Sequence, residues 1–164
     1  MVGGYPLPGF AAKPERPPVV VGAVLLLVGS ALLIVGSFLN WLSVDAPSLS
    51  SLGLDLSFNG FGGEGETKDG PVFVFLAVVL AAFGITLLAA RKVLAVAILS
   101  VIAAVLALLA AAIDVADVRD AVDDLKALDP TFEATMGPGL WVVLAGAIVA
   151  LAGGIAALAT RRRA

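Results

Sequence analysis

The residues with the greatest chemical potential in this 164-residue chain are carboxylates. Asp114, Asp117, Asp120 and Asp124 follow one another at steps of three, three and four, a spacing that sets them along a helix. A row of carboxylates offers oxygen ligands to a divalent cation, and a pair such as Asp123-Asp124 offers acid–base chemistry. Against the first, no glycine-turned loop of the kind that wraps calcium interrupts the row. Against the second, six Asp between positions 114 and 129 place neighbours side by side without design. The expectation is therefore a solvated acidic face that serves as a partner surface. No catalytic, cofactor-binding or metal-ligating residue is assigned.

The absent residue types narrow the chemistry further. There is no Cys and no His. Thiol nucleophiles, thiolate metal sites, Ser-His-Asp triads and haem ligation through His are thereby excluded. The remaining Ser and Thr hydroxyls have no base beside them in the sequence, and an enzyme is not expected.

The elements that must carry these carboxylates are long and apolar. Hydrophobic residues make up 60% of the chain and charged residues 14%, with a mean hydropathy of +1.08. A compact soluble domain of this size could not bury that much apolar surface. Four runs stand out, at about Val19–Leu39, Pro71–Ala90, Val93–Ile113 and Leu140–Thr160. None contains Asp, Glu, Lys or Arg. At about 1.5 Å per residue, each run of roughly 20 residues spans about 30 Å of hydrocarbon. Pro18, Pro71 and Pro138 stand before or at the start of three of them, where a missing N–H costs a helix nothing. The fold class expected is an all-α membrane protein, a four-transmembrane-helix bundle. Its domain spans 19–160, with a Pro/Gly tail at 1–18, loops at 40–70 and 114–138, and a basic tail at 161–164.

Charge is sorted by position. Lys13, Arg16, Arg91, Lys92, Arg161, Arg162 and Arg163 fall on one side with only Glu15, a net of +6. Loop 40–70 carries a net of −4 and loop 114–138 a net of −5. The positive-inside bias then puts both termini and the Arg91-Lys92 hairpin in the cytoplasm, in a plasma (inner) membrane, with the acidic loops outside. The first run is too long for the h-region of a cleaved signal peptide. The basic clusters are short and suit lipid headgroups, so no nucleic-acid partner is expected.

The loops are patterned. Leu52, Leu54, Leu56 and Phe58 alternate with polar or small residues before the turn signal Asn59-Gly60, which predicts a short strand or hairpin over the helix ends. Val115, Val118, Val122 and Leu125 continue an apolar stripe past the third run. They predict a helical extension that ends near Asp129-Pro130.

Within the runs the clearest pattern is one of small residues. Gly22, Gly29 and Gly36 are spaced by sevens, each followed by Ala23, Ser30 or Ser37. Gly139, Gly146 and Gly153 repeat the spacing in the fourth run, and Gly146, Ala150 and Gly154 form a small-xxx-small series. The first and fourth runs would cross in opposite directions, so antiparallel packing within one chain is preferred over a homo-oligomer or partner interface. Polar groups at membrane depth are limited to Ser30, Ser37, Thr86, Ser100 and, near an edge, Asn40. No run has an internal Pro, so the broken helices of ion-coupled carriers are not expected.

The Phe38-Leu39-Asn40-Trp41-Leu42 exit from the first run and the Asp69-Gly70-Pro71 entry to the second resemble small four-span membrane proteins of actinobacterial and actinophage type. That resemblance implies an architecture and no particular activity. The layout is also similar to that of claudin- and tetraspanin-like proteins, and Trp41 followed by Gly53-Leu54 resembles the claudin outer loop. The Trp expected after that Gly-Leu and the loop cysteines are absent. The function expected is a non-enzymatic scaffold or accessory subunit that presents its two acidic loops to partners and sits in the lipid bilayer beside a membrane-protein partner or a second copy. The alternatives are a transport or lipid-handling protein with an apolar path, and a membrane-acting phage-type exclusion or defence effector.

Overall fold

The computed structural model describes residues 19–45, 56–62, 69–89, 94–128, 131 and 133–162. The tail at 1–18, the Arg91-Lys92 turn and the Leu52-Leu54 part of the alternating run lie outside the described residues. The described residues form four helices: α1 (Val20–Phe38), α2 (Gly70–Ala89), α3 (Leu94–Leu128) and α4 (Pro138–Arg162). A small sheet joins them, built from β1 (Asn40–Asp45), β2 (Leu56–Asn59) and β3 (Glu133–Met136). All four helices are long and apolar enough to cross a membrane. Large apolar side chains face outward along them, and Val21, Phe75, Leu109 and Ile148 are each more than half exposed. Water solvates such a surface poorly, whereas hydrocarbon solvates it as well as a protein interior does.

Around the bundle α1 lies against α2 and α4, and α3 against α2 and α4. The α1–α4 seam is set by glycine. A Cβ added to Gly29 would sit 2.7 Å from the Ala150 nitrogen and from the Gly146 oxygen. One added to Gly146 would meet the Leu33 nitrogen at 2.9 Å and the Gly29 oxygen at 3.0 Å. The same reciprocity joins Gly22 to Gly153 and Gly36 to Gly139, so the two helices run antiparallel in backbone-to-backbone contact. Gly154 faces elsewhere, against Val101 of α3, and the Gly146-Ala150-Gly154 series is thus divided between two neighbours. Leu26, Leu33, Phe73, Leu80, Leu87, Leu140 and Val143 fill the core between the helices.

Helix α3 has 35 residues, about 52 Å at about 1.5 Å per residue. It is therefore longer than the thickness of a hydrocarbon layer, about 30 Å, by several turns. The apolar stripe on its C-terminal turns packs against the sheet. Leu42, Val122 and Ala134 are buried together, with Val44, Phe58, Val118, Leu125 and Met136 around them.

The sheet is larger than the sequence pattern predicts. Strand order is β2-β1-β3, both pairings antiparallel, with Ser43 opposite Ser57 on one side and Thr135 on the other. The central strand lacks clean alternation because the β1–β2 register slips between Asn40 and Leu42. The slip lets two consecutive side chains, Trp41 and Leu42, both be buried. Strand β3 has four residues, too few to display a period in sequence, although its burial alternates.

Candidate functional site

Sheet and bundle meet at the last turn of α1, whose terminal carbonyls have no partner within the helix. The Trp41 indole N–H donates to the Gly36 oxygen at 2.9 Å, and the Gly60 N–H donates to the Ser37 oxygen at 3.2 Å. Asn59 Oδ1 accepts from the Phe61 N–H at 3.0 Å, which folds the turn after β2 back over the helix end. Gly62 completes that turn at φ 69°, a conformation that glycine adopts without strain. Phe61 stacks on Phe38 with ring centroids 4.8 Å apart, and Trp41 meets Phe73 edge to face at 5.8 Å. The Gly70 N–H then bonds the Gly60 oxygen, which brings Asp69 at the head of α2 beside the sheet.

A cavity of about 380 Å³ opens at this junction. The sheet and its turn contribute Trp41, Leu42, Phe58, Asn59 and Gly62; Asp69 comes from the start of α2; α3 contributes Asp114, Asp117, Val118 and Ala121. The α3 residues stand at steps of three, one and three, one face of the helix. Asp114 is the first residue past the apolar run that ends at Ile113. The residue is 7% exposed, and its Oδ2 is buried without a hydrogen-bond partner among the described residues. Burial, and then the charges of Asp69 and Asp117, push its carboxyl up from 3.8 to about 7.

The acidic row predicted from sequence is therefore divided. Asp117, Asp120 and Asp124 are exposed, whereas Asp114 is buried under the sheet and leaves the solvated face. Helix geometry accounts for the difference. At about 100° per residue, Asp114 lies about 40° from Val118 and about 20° from Leu125, but about 120° from Asp120. It belongs to the edge of the apolar stripe. Asp69, Trp41, Phe58 and Asn59 join it only through long-range folding. Trp41 and Asp69 belong to the helix-exit and helix-entry segments noted in the sequence, but no spacing rule links them to position 114.

Chemically, the cavity is a desolvated carboxyl flanked by two more, with aromatic and aliphatic walls. Among the described residues that line it, none is basic and none carries a hydroxyl or thiol. No group of three or more Asp or Glu among the described residues is arranged to hold a metal ion. Such a site can exchange a proton near neutral pH or face a positive group.

Inside the bundle the polar groups are turned to their own helices. Ser30 and Ser37 donate to the Leu26 and Leu33 oxygens, each at 2.7 Å, and Ser100 donates to the Ala97 oxygen at 2.9 Å. Thr86 donates to the Ala82 oxygen at 2.7 Å. The small-residue positions Gly22, Gly29, Gly36, Gly139, Gly146, Ala150 and Gly153 all lie in the α1–α4 contact. No protein-family model matches the chain, and no curated protein matches it.

Proposed function

We propose that the protein is a non-enzymatic scaffold or accessory subunit of the plasma (inner) membrane. It crosses four times with both termini in the cytoplasm, and it holds the sheet and the end of α3 outside for a partner to engage. The observation that carries this reading is the pairing of a self-satisfied bundle with a folded, acidic cap. The small-residue seam is consumed within the chain, and the serine hydroxyls of the spans bond their own helices, so no midplane binding group stands free among the described residues. Polar recognition capacity is concentrated in the exposed Asp117, Asp120, Asp123 and Asp124 on the projecting helix. A basic partner surface is the complement such a row attracts.

The test is native mass spectrometry of the tagged full chain, extracted in a gentle nonionic detergent from its source membrane. A stoichiometric second protein, lost when Asp117, Asp120, Asp123 and Asp124 are replaced together by Asn, supports the reading. Monomer alone, or a partner retained by the Asn variant, overturns it and sends the work to liposome transport and expression-phenotype assays.

A further inference from the structure

We infer that the cavity beneath the sheet is a binding site for a small organic cation, with an ammonium group seated at Asp114 and an apolar body against Trp41 and Phe58. Three observations converge on that class of ligand. The first is the buried carboxyl of Asp114, a residue of the cavity lining whose Oδ2 has no hydrogen-bond donor among the described residues. A buried acceptor of this kind is rare and is stabilised by a guest that supplies the hydrogen. The second is charge. Asp69 and Asp117 line the same cavity, and no basic residue among those described lines it to offset them. The third is the rest of the wall. Trp41 and Phe58 are aromatic and Leu42, Val118 and Ala121 aliphatic, a lining that a hydrated inorganic ion does not use. At about 380 Å³ the space suits a small molecule rather than a single ion. The carboxylates among the described residues form no metal-holding group, which separates this site from a calcium site.

The site is built and held from outside the cavity. The indole N–H of Trp41 is fixed on the Gly36 oxygen, and Asn59 Oδ1 is engaged by the Phe61 N–H. An ammonium group is present both in soluble amines and in the ethanolamine headgroup of lipids, and both fit the chemistry.

The chain has two tryptophans, Trp41 and Trp141. The full chain carrying Trp141→Phe therefore reports from Trp41 alone. In dodecyl maltoside at pH 8, titration with phenethylammonium is expected to change Trp41 emission saturably. The neutral analogue 2-phenylethanol is expected to bind at least about tenfold more weakly, as is phenethylammonium to the added variant Asp114→Asn, which each lose a charge-assisted contact. Asp69→Asn supplies a second reading if Asp114→Asn alters the fold by thermal unfolding. Equal binding of the alcohol, an unchanged titration in both variants, or no saturable response overturns the proposal. So does calcium chloride that binds with the same dependence on Asp114 while the amine does not. Repeating the titration in nanodiscs identifies the source of the ammonium. Weaker binding in phosphatidylethanolamine than in net-neutral digalactosyldiacylglycerol, which has no ammonium group, assigns the site to the lipid headgroup, and equal binding assigns it to a soluble amine.

Discussion

Replacing Asp114 by Asn should make the protein more stable at pH 8 and leave it nearly unchanged at pH 4. The native carboxyl holds its proton to about pH 7, whereas an ordinary Asp carboxyl, as in the unfolded chain, loses it near 3.8. Between those two values the native state binds more protons than the unfolded state, so wild-type stability falls as pH rises through the window and is level outside it. At about 1.4 kcal/mol per tenfold change in proton affinity, the full interval corresponds to roughly 4 kcal/mol. Water that reaches the cavity screens the carboxylate, and about half of that, ~2 kcal/mol, is the expected effect. For a chain of this length each kcal/mol moves the midpoint by about 2–4 °C. Asp114→Asn should therefore raise the apparent Tm by about 4–8 °C at pH 8. The assay is thermal unfolding in dodecyl maltoside from pH 4 to pH 8 at one fixed scan rate, because unfolding in detergent is read as an operational midpoint. Asp120→Asn, on the exposed side of the same helix, is the control for removing one carboxylate. Parallel wild-type and Asp114→Asn profiles across the whole range, or a variant less stable at pH 8, would refute the assignment of Asp114 as a buried, uncompensated acid.

Other parts of the structure are open to equally direct tests. Gly29→Leu combined with Gly146→Leu drives side chains into opposing backbone and should destabilise by about 3 kcal/mol or more, visible as loss of the folded species on size-exclusion chromatography. Gly84→Ala should change the stability by no more than about 1 kcal/mol, since its added Cβ meets nothing nearer than 3.1 Å; similar losses at both sites would remove the special role of the α1–α4 seam. The absence of native cysteine makes topology readable by labelling. Asp123→Cys should react with an impermeant maleimide on intact cells and Lys92→Cys only after permeabilisation, and the opposite pattern inverts the orientation. Trp41→Phe strips the Gly36 carbonyl of its donor and should cost about 1–3 kcal/mol, measured by the midpoint of thermal unfolding.

The four helices were legible because a bilayer-length apolar run free of charge is a strong and local signal. The helical extension was legible too, from Val115, Val118, Val122 and Leu125, which repeat at helical spacing past Ile113. The antiparallel glycine contact could be anticipated because the sevens in α1 and α4 match in reverse order. The sheet was only partly legible. Leu56 and Phe58 gave β2 its period, but β1 hides its period behind the register slip at Trp41, and β3 is too short to have one. The site was less legible still. Counting Asp residues by steps of three and four grouped Asp114 with Asp120, whereas angles around the helix group it with Leu125. Its partners in the cavity come from residues 41, 58, 59 and 69, which only the pairing of β1 with β2 and the Gly60–Gly70 contact bring near.

The placement of Asp114 is the point at which the levels of organisation disagree, and that disagreement has a physical meaning. Patterning, capping and packing elsewhere agree with the fold: the apolar stripe of α3 meets an apolar sheet, and the terminal carbonyls of Gly36 and Ser37 find donors. Alanine or valine at position 114 would continue that agreement and would fill the edge of the stripe. A carboxyl there opposes it, since the burial of Asp114 beside two like charges favours the unfolded state at neutral pH. A local rule broken amid general consistency marks a position held for something other than folding. Desolvation is also what gives the group its use, because an interaction with a positive guest strengthens as the surrounding dielectric falls. The same burial that weakens the empty protein would thus strengthen the occupied one, and the stability deficit that Asp114→Asn removes should be the deficit that an ammonium ligand removes in the wild type. Added phenethylammonium should accordingly raise the wild-type midpoint at pH 8 toward that of Asp114→Asn and leave the variant where it was. A ligand that stabilised both alike would act elsewhere on the protein, and the buried carboxyl would have no part in binding it.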